Sequence, residues 1–199
     1  MNKILRTILF LLILPIIAVA EAIPGKVAPE FSLRGVDGKE YKLSDQKGSL
    51  VVLEWTNPEC PFVKKHYDSQ NMQGLQKKFT ALGVKWFSIN SSAHGRQGNL
   101  STEQGIKLLQ DKAASPTSLL LDPSGTVGTM YGAKTTPHMY VINKEGIVVY
   151  VGAIDDNDST DVDAVANSKN YVAQALDELL AGQPVSTPVT NPYGCSVKY

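Results

Sequence analysis

Cysteine is scarce in this chain: only Cys60 and Cys195 occur among 199 residues. Two thiols are too few for a disulfide-stapled scaffold, and neither lies in the paired spacing of a zinc ligand set. Histidine is equally sparse, and His66, His94 and His138 have no metal-like spacing. No metal and no cofactor are therefore expected. An excess of either charge is also missing, since 19 basic and 19 acidic side chains balance. With no basic tract either, nothing calls for a nucleic-acid partner. There is no internal repeat and no linker, and 43% hydrophobic content suits one globular domain with a real core.

Long apolar runs are absent apart from Ile8 to Ala18, which follows the basic start Met1-Asn2-Lys3-Ile4-Leu5-Arg6. Ala18-Val19-Ala20 and Ala20-Glu21-Ala22 both fit a small-x-small cleavage site, so residues 1–22 read as a secretory signal peptide. The alternative is an uncleaved anchor, although the run is shorter than the ~20 residues of a spanning helix. Export to the periplasm without stable membrane insertion is the expectation, with residues 23–185 as the domain and 186–199 as a C-terminal tail carrying Cys195. In that oxidising compartment the two cysteines could form a structural bridge, a redox couple or two free thiols.

Several elements can be read from the residues. Asp37-Gly38 marks a hairpin turn within 36–43, and Leu50 to Trp55 reads as a strand buried on both faces. Pro61 suits the first position of a helix, which is expected to run to Phe79 across Gly74. Val84 to Asn90 reads as a second strand, Ser101 opens a helix to about Lys112, and Thr117 to Leu121 forms a third strand. A short helical segment over 126–131 precedes a hairpin of 138–142 and 147–151. The closing helix carries Tyr171, Val172, Ala175, Leu176, Leu179 and Leu180 on one face and stops at Gly182 and Pro184. This order implies an α/β domain whose mixed sheet is covered on both faces.

Cys60 lies where the buried strand hands over to the helix beginning at Pro61. Free N–H groups and the positive helix end there would favour a thiolate, and Lys64, Lys65 and His66 would add positive potential if they faced the sulfur. Glu59 opposes them. The other reading is a small core residue, since free cysteine is often buried, but Pro58, Glu59 and Pro61 are poor core neighbours. Thr136-Pro137, just before the hairpin, is a candidate cis peptide in a tight turn; an ordinary trans proline bounding a strand is the alternative. His138 follows it and is a candidate to tune or protonate the thiol, or else a core histidine. Asp155 to Asp163 contains five carboxylates, read as a solvated loop in preference to a calcium site because the EF-hand glycine and glutamate are missing.

The unit of strand, Trp55-x-x-x-x-Cys60-Pro61, helix, Thr136-Pro137, hairpin and final helix resembles the thioredoxin-like fold. The lead-in from Gly25 to Leu33 with Asp37-Gly38 further resembles the AhpC/TSA, or redoxin, branch related to peroxiredoxins. Cys-Pro-Phe-Val-Lys-Lys-His-Tyr and the tail around Cys195 resemble exported bacterial thioredoxin-family proteins. The resemblance implies a three-layer α/β/α sandwich and a thiol-dependent oxidoreductase with Cys60 as nucleophile. Thr136 and Pro137 would shape the substrate groove. It implies a peroxide or protein-disulfide substrate, an unidentified thiol electron donor, and Cys195 as resolving partner within the chain or across a dimer. Departures are plain: Val63 replaces the second cysteine of a Cys-x-x-Cys pair, and Asn57 occupies the peroxidatic threonine position. Neither Arg34 nor Arg96 matches the peroxidatic arginine, for which Lys64 or Lys134 would have to substitute. The alternative is a non-catalytic redoxin-like binding or assembly module with a structural Cys60–Cys195 bridge.

Overall fold

Val51, Leu53 and Trp55 point into one apolar core and Val52 into another, which accounts for the unbroken apolar run in this strand. The computed structural model describes residues 22–199. The expected signal peptide therefore lies outside the described residues except for Ala22. Among those residues, no helix is long and apolar enough to cross a membrane.

The strands are β1 (Ser32–Gly35), β2 (Glu40–Lys42), β3 (Val51–Trp55), β4 (Lys85–Asn90), β5 (Ser118–Leu121), β6 (Thr135–Thr136), β7 (His138–Ile142), β8 (Val148–Gly152) and β9 (Cys195–Ser196). The helices are α1 (Pro61–Asp68), α2 (Asn71–Ala81), α3 (Thr102–Asp111), α4 (Thr126–Tyr131) and α5 (Tyr171–Leu180). Seven strands form one sheet in the order β2-β1-β5-β4-β3-β7-β8. β3, β4 and β5 run parallel, and the flanking pairs are antiparallel. Residues of α2 and α5 cover one face with Trp86, Met139 and Val141. Residues of α4 and the lead-in cover the other with Trp55, Phe87 and Tyr140. This is the three-layer sandwich with a mixed sheet that the sequence predicts.

Local signals act where expected. Gly38 takes a positive φ of 81° in the β1–β2 turn, and Ser101 with Gln104 forms a capping box on α3. The single helix expected over residues 61–79 is instead two. Gln70, in the left-handed region at φ 63°, breaks it, and Gly74 sits undisturbed inside α2. No breaker residue announces this break.

A carboxylate lies inside the sandwich. Glu54 is fully buried on β3 and accepts hydrogen bonds from Tyr67 Oη (2.9 Å), Trp86 Nε1 (2.9 Å), Ser88 Oγ (2.8 Å) and Gln76 Nε2 (3.3 Å). Burial raises its pKa, and the four donors only partly offset that. The folded state therefore holds this proton more tightly than the unfolded chain does. Its contribution to stability is full below the ordinary carboxylate range and is lost as pH rises through the raised value. Glu54→Gln is expected to shrink the loss of stability between pH 5 and pH 8, measured from urea midpoints. Glu54→Leu, which strands four donors, is expected to cost about 3 kcal/mol or more.

Candidate active site around two facing thiols

Cys60 is the N-cap of α1, in extended conformation, with Pro61 as the first helical residue. Its carbonyl accepts the N–H groups of Val63 (3.0 Å) and Lys64 (2.9 Å). The preceding turn is built by Asn57, whose side chain accepts from Glu59 N (2.9 Å) and donates to Gln97 O (3.1 Å). Asn57, at the position where peroxidases carry threonine, therefore shapes the loop that delivers Cys60. Although it stands at a helix mouth, Cys60 is only 1% exposed. It is both a helix-start thiol and a buried one.

The cover is the C-terminal segment. β9 pairs antiparallel with β6, setting Thr136 opposite Cys195 and Thr135 opposite Ser196. The Thr136–Pro137 peptide is cis. Cys60 Sγ–H donates to Thr136 O at 3.0 Å, so one residue touches one cysteine by its carbonyl and pairs with the other through the ladder. Both cysteines are free thiols. The structure thus brings together all four residues singled out in the sequence: Cys60, Thr136, Pro137 and Cys195.

The two thiols differ in acidity. Burial opposes ionisation of Cys60, but hydrogen bonds from the Cys195 thiol, the Thr136 hydroxyl and the backbone N–H groups of Cys195 and Val63 outweigh it and lower the pKa. Cys195 is pushed up to about 11 by partial burial, then by its hydrogen bond to Cys60 and the negative charge that Cys60 carries once ionised. The pair shares one readily lost proton, and that proton leaves Cys60.

The basic residues after Cys60 do not act as expected. Lys64 is exposed, while Lys65 and His66 are buried and turned away toward Asp155 and Tyr193. His66 is held neutral, its pKa lowered to about 3 by burial and by the Lys65 charge. His138 likewise does not reach the sulfur. Its Nδ1 faces Lys134 N (3.2 Å) and Tyr140 Oη (3.3 Å), and burial followed by the Lys134 charge lowers its pKa to about 4. In the acidic loop, Asp155 departs from the solvated expectation, being 2% exposed, whereas Asp156, Asp158, Asp161 and Asp163 face solvent. The residues missed in the sequence are Asp155, Tyr193 and Gly194. Of these only Gly194 carried a local signal, as a glycine directly before a cysteine.

The sheet order, the helix-start cysteine and the cis-proline turn define a thioredoxin-like protein. Within that class, the AhpC/TSA family profile matches residues 24–151, and the chain belongs to that family. It is 28% identical over 134 residues to thiol-disulfide oxidoreductase ResA of Bacillus subtilis, covering 59% of this chain and 75% of ResA. Thioredoxin-like protein YneN of the same organism is 24% identical over 133 residues, covering 65% and 72%. An uncharacterized conserved protein from Geobacillus kaustophilus superposes with a TM-score of 0.77 at 29% identity, covering 89% of this chain and 93% of that one.

Iodoacetamide alkylation should report the acidity difference. Cys60 is expected to react with a midpoint below the ordinary thiol range of about 8.5, and Cys195→Ala should move that midpoint upward. An unchanged midpoint would exclude the Cys195 thiol as the group that acidifies Cys60.

Proposed function

We propose that this protein is a thiol–disulfide oxidoreductase in which Cys60 attacks and Cys195 resolves. The observation that carries the reading is the unequal pair meeting at Thr136, one thiol whose pKa is lowered and one that keeps its proton. Cys60 thiolate attacks one sulfur of a substrate disulfide, forming a mixed disulfide and expelling a substrate thiolate. That thiolate takes the proton of Cys195, whose sulfur then attacks Cys60 Sγ and expels the second substrate sulfur as a thiolate, which takes from solvent the proton that Cys60 gave up at the start. The substrate disulfide gains two electrons, and the Cys60–Cys195 dithiol loses them. An external dithiol of lower reduction potential returns the pair to its starting state. Thr136 and Pro137 line the approach to the sulfur, and residues 1–22 would direct the chain to an exported compartment. The name of the ResA relative supports this chemistry.

A peroxide is the alternative oxidant. Cys60 would become a sulfenic acid with release of water or an alcohol, and Cys195 would condense with it, expelling water. The surroundings favour the disulfide. Arg34 lies in β1 opposite Glu40, and the groups that lower the Cys60 pKa include no guanidinium.

The test is turnover on a disulfide-bonded peptide and on hydrogen peroxide, each with a dithiol donor. Cys60→Ser should reduce peptide turnover to background, and Cys195→Ser should accumulate a Cys60–peptide mixed disulfide visible by intact mass. Turnover on peroxide alone would favour the second chemistry. A Cys60–Cys195 bridge that forms but turns over neither substrate would leave the binding-module reading.

A further inference from the structure

A second buried polar cluster, separate from the thiol pair and from the Glu54 network, is built from three separate parts of the chain. Lys65 and His66 come from α1, Asp155 from the loop after β8, and Tyr193 from the C-terminal segment two residues before Cys195. Lys65 and His66 side chains are 0% exposed and that of Asp155 is 2%. All three converge on one phenol. Lys65 Nζ lies 3.3 Å from Tyr193 Oη and also donates to Asn157 O at 2.6 Å. The Asn71 side-chain amide donates to His66 Nδ1 at 2.9 Å, so the ring proton sits on Nε2 and points to Tyr193 Oη at 3.1 Å. Tyr193 in turn donates its proton to Asp155 Oδ1 in a short hydrogen bond. Lys65 and Asp155 approach at 3.8 Å. The Tyr193 ring also rests against Phe62 of α1, at a centroid separation of 5.9 Å.

A buried ion pair is a poor source of stability, because desolvation cancels most of its Coulombic gain. What a fully satisfied buried network supplies is one defined arrangement. Here the arrangement ties the segment bearing Cys195 to the helix whose first turn bears Cys60. The chain leaves Tyr193 through Gly194, at φ +132°, where a Cβ would fall 2.1 Å from Thr136 O. The path from phenol to β9 is therefore short and closely confined.

We infer that Tyr193 is a positioning residue: its hydroxyl, held by Lys65, His66 and Asp155, latches the C-terminal segment so that Cys195 stands in register over Cys60. The inference rests on the proposed thiol pairing and deepens it. With the latch closed, Cys195 has a high effective concentration at Cys60 and reagents are kept from the sulfur. With the latch removed, the reduced chain gains an open state that the bridged chain, tied by its covalent bond, cannot reach. Bridge formation then becomes less favourable, while Cys60 becomes more accessible.

The experiment uses the full chain with Tyr193→Phe, which keeps the ring against Phe62 and removes only the hydroxyl, and with Asp155→Asn, which weakens the latch from the opposite side. Two quantities are read under native conditions: the equilibrium constant of the Cys60–Cys195 bridge in glutathione buffers, and the alkylation rate of Cys60 in a Cys195→Ala background. Each variant should lower the first about tenfold and raise the second about tenfold, the scale of a hydrogen bond to a charged partner. The double variant should go little further than the larger single one, because both act on one unit. Folded variants with both quantities at parental values would overturn the latch. A parent that forms no bridge at any glutathione ratio would instead overturn the pairing. In that case the alkylation rate still decides whether Tyr193 holds the segment over Cys60.

Discussion

The pairing of β9 with β6 is the contact on which the candidate site depends. It is only two residues long, yet it sets Thr136 against both cysteines, its carbonyl accepting a hydrogen bond from Cys60 Sγ–H and its backbone facing Cys195 across the ladder. Without it Cys60 would be an exposed helix-cap thiol with one fewer thiol donor. With it Cys60 is buried and more acidic, two properties that normally oppose each other. Hydrogen bonds delivered by the covering segment reconcile them.

Helix α1 links this contact to the body of the fold. Its first turn presents Cys60 to the cis-proline turn. Its last turn sends Tyr67 inward to Glu54 on β3, and Lys65 and His66 outward to Asp155 and Tyr193. One short helix is thus fixed by two buried polar networks, one in the sheet layer and one in the C-terminal segment. Such networks constrain direction as well as depth, because each donor has few acceptable partners. Apolar packing alone would let the helix slide.

Much of the sandwich could be read from local pattern. The apolar run of β3, proline at the start of α1, the Asp37-Gly38 turn, the Ser101 cap and Gly182 after α5 each act through the residue itself or its near neighbours. Cys60 at the helix start and the Thr136–Pro137 turn were legible for the same reason. The split between α1 and α2 was not, because Gln70 takes a left-handed backbone without any residue type that advertises it. Asp155 was also misleading. Among five carboxylates in one polar stretch, nothing local distinguishes the one that a distant lysine and tyrosine bury.

The sequence by itself determined most of the elements and that a thiol stands at the mouth of a helix, since these follow from periodicity, caps and turns over a few residues. Only the tertiary structure decided what that thiol meets. The return of residues 186–199 to the cis-proline turn, the approach of Cys195 and the diversion of Lys65 and His66 to Asp155 all join positions far apart in the chain. Their energies depend on burial and on partner geometry. Neither quantity exists until the sheet and its covering layers are in place.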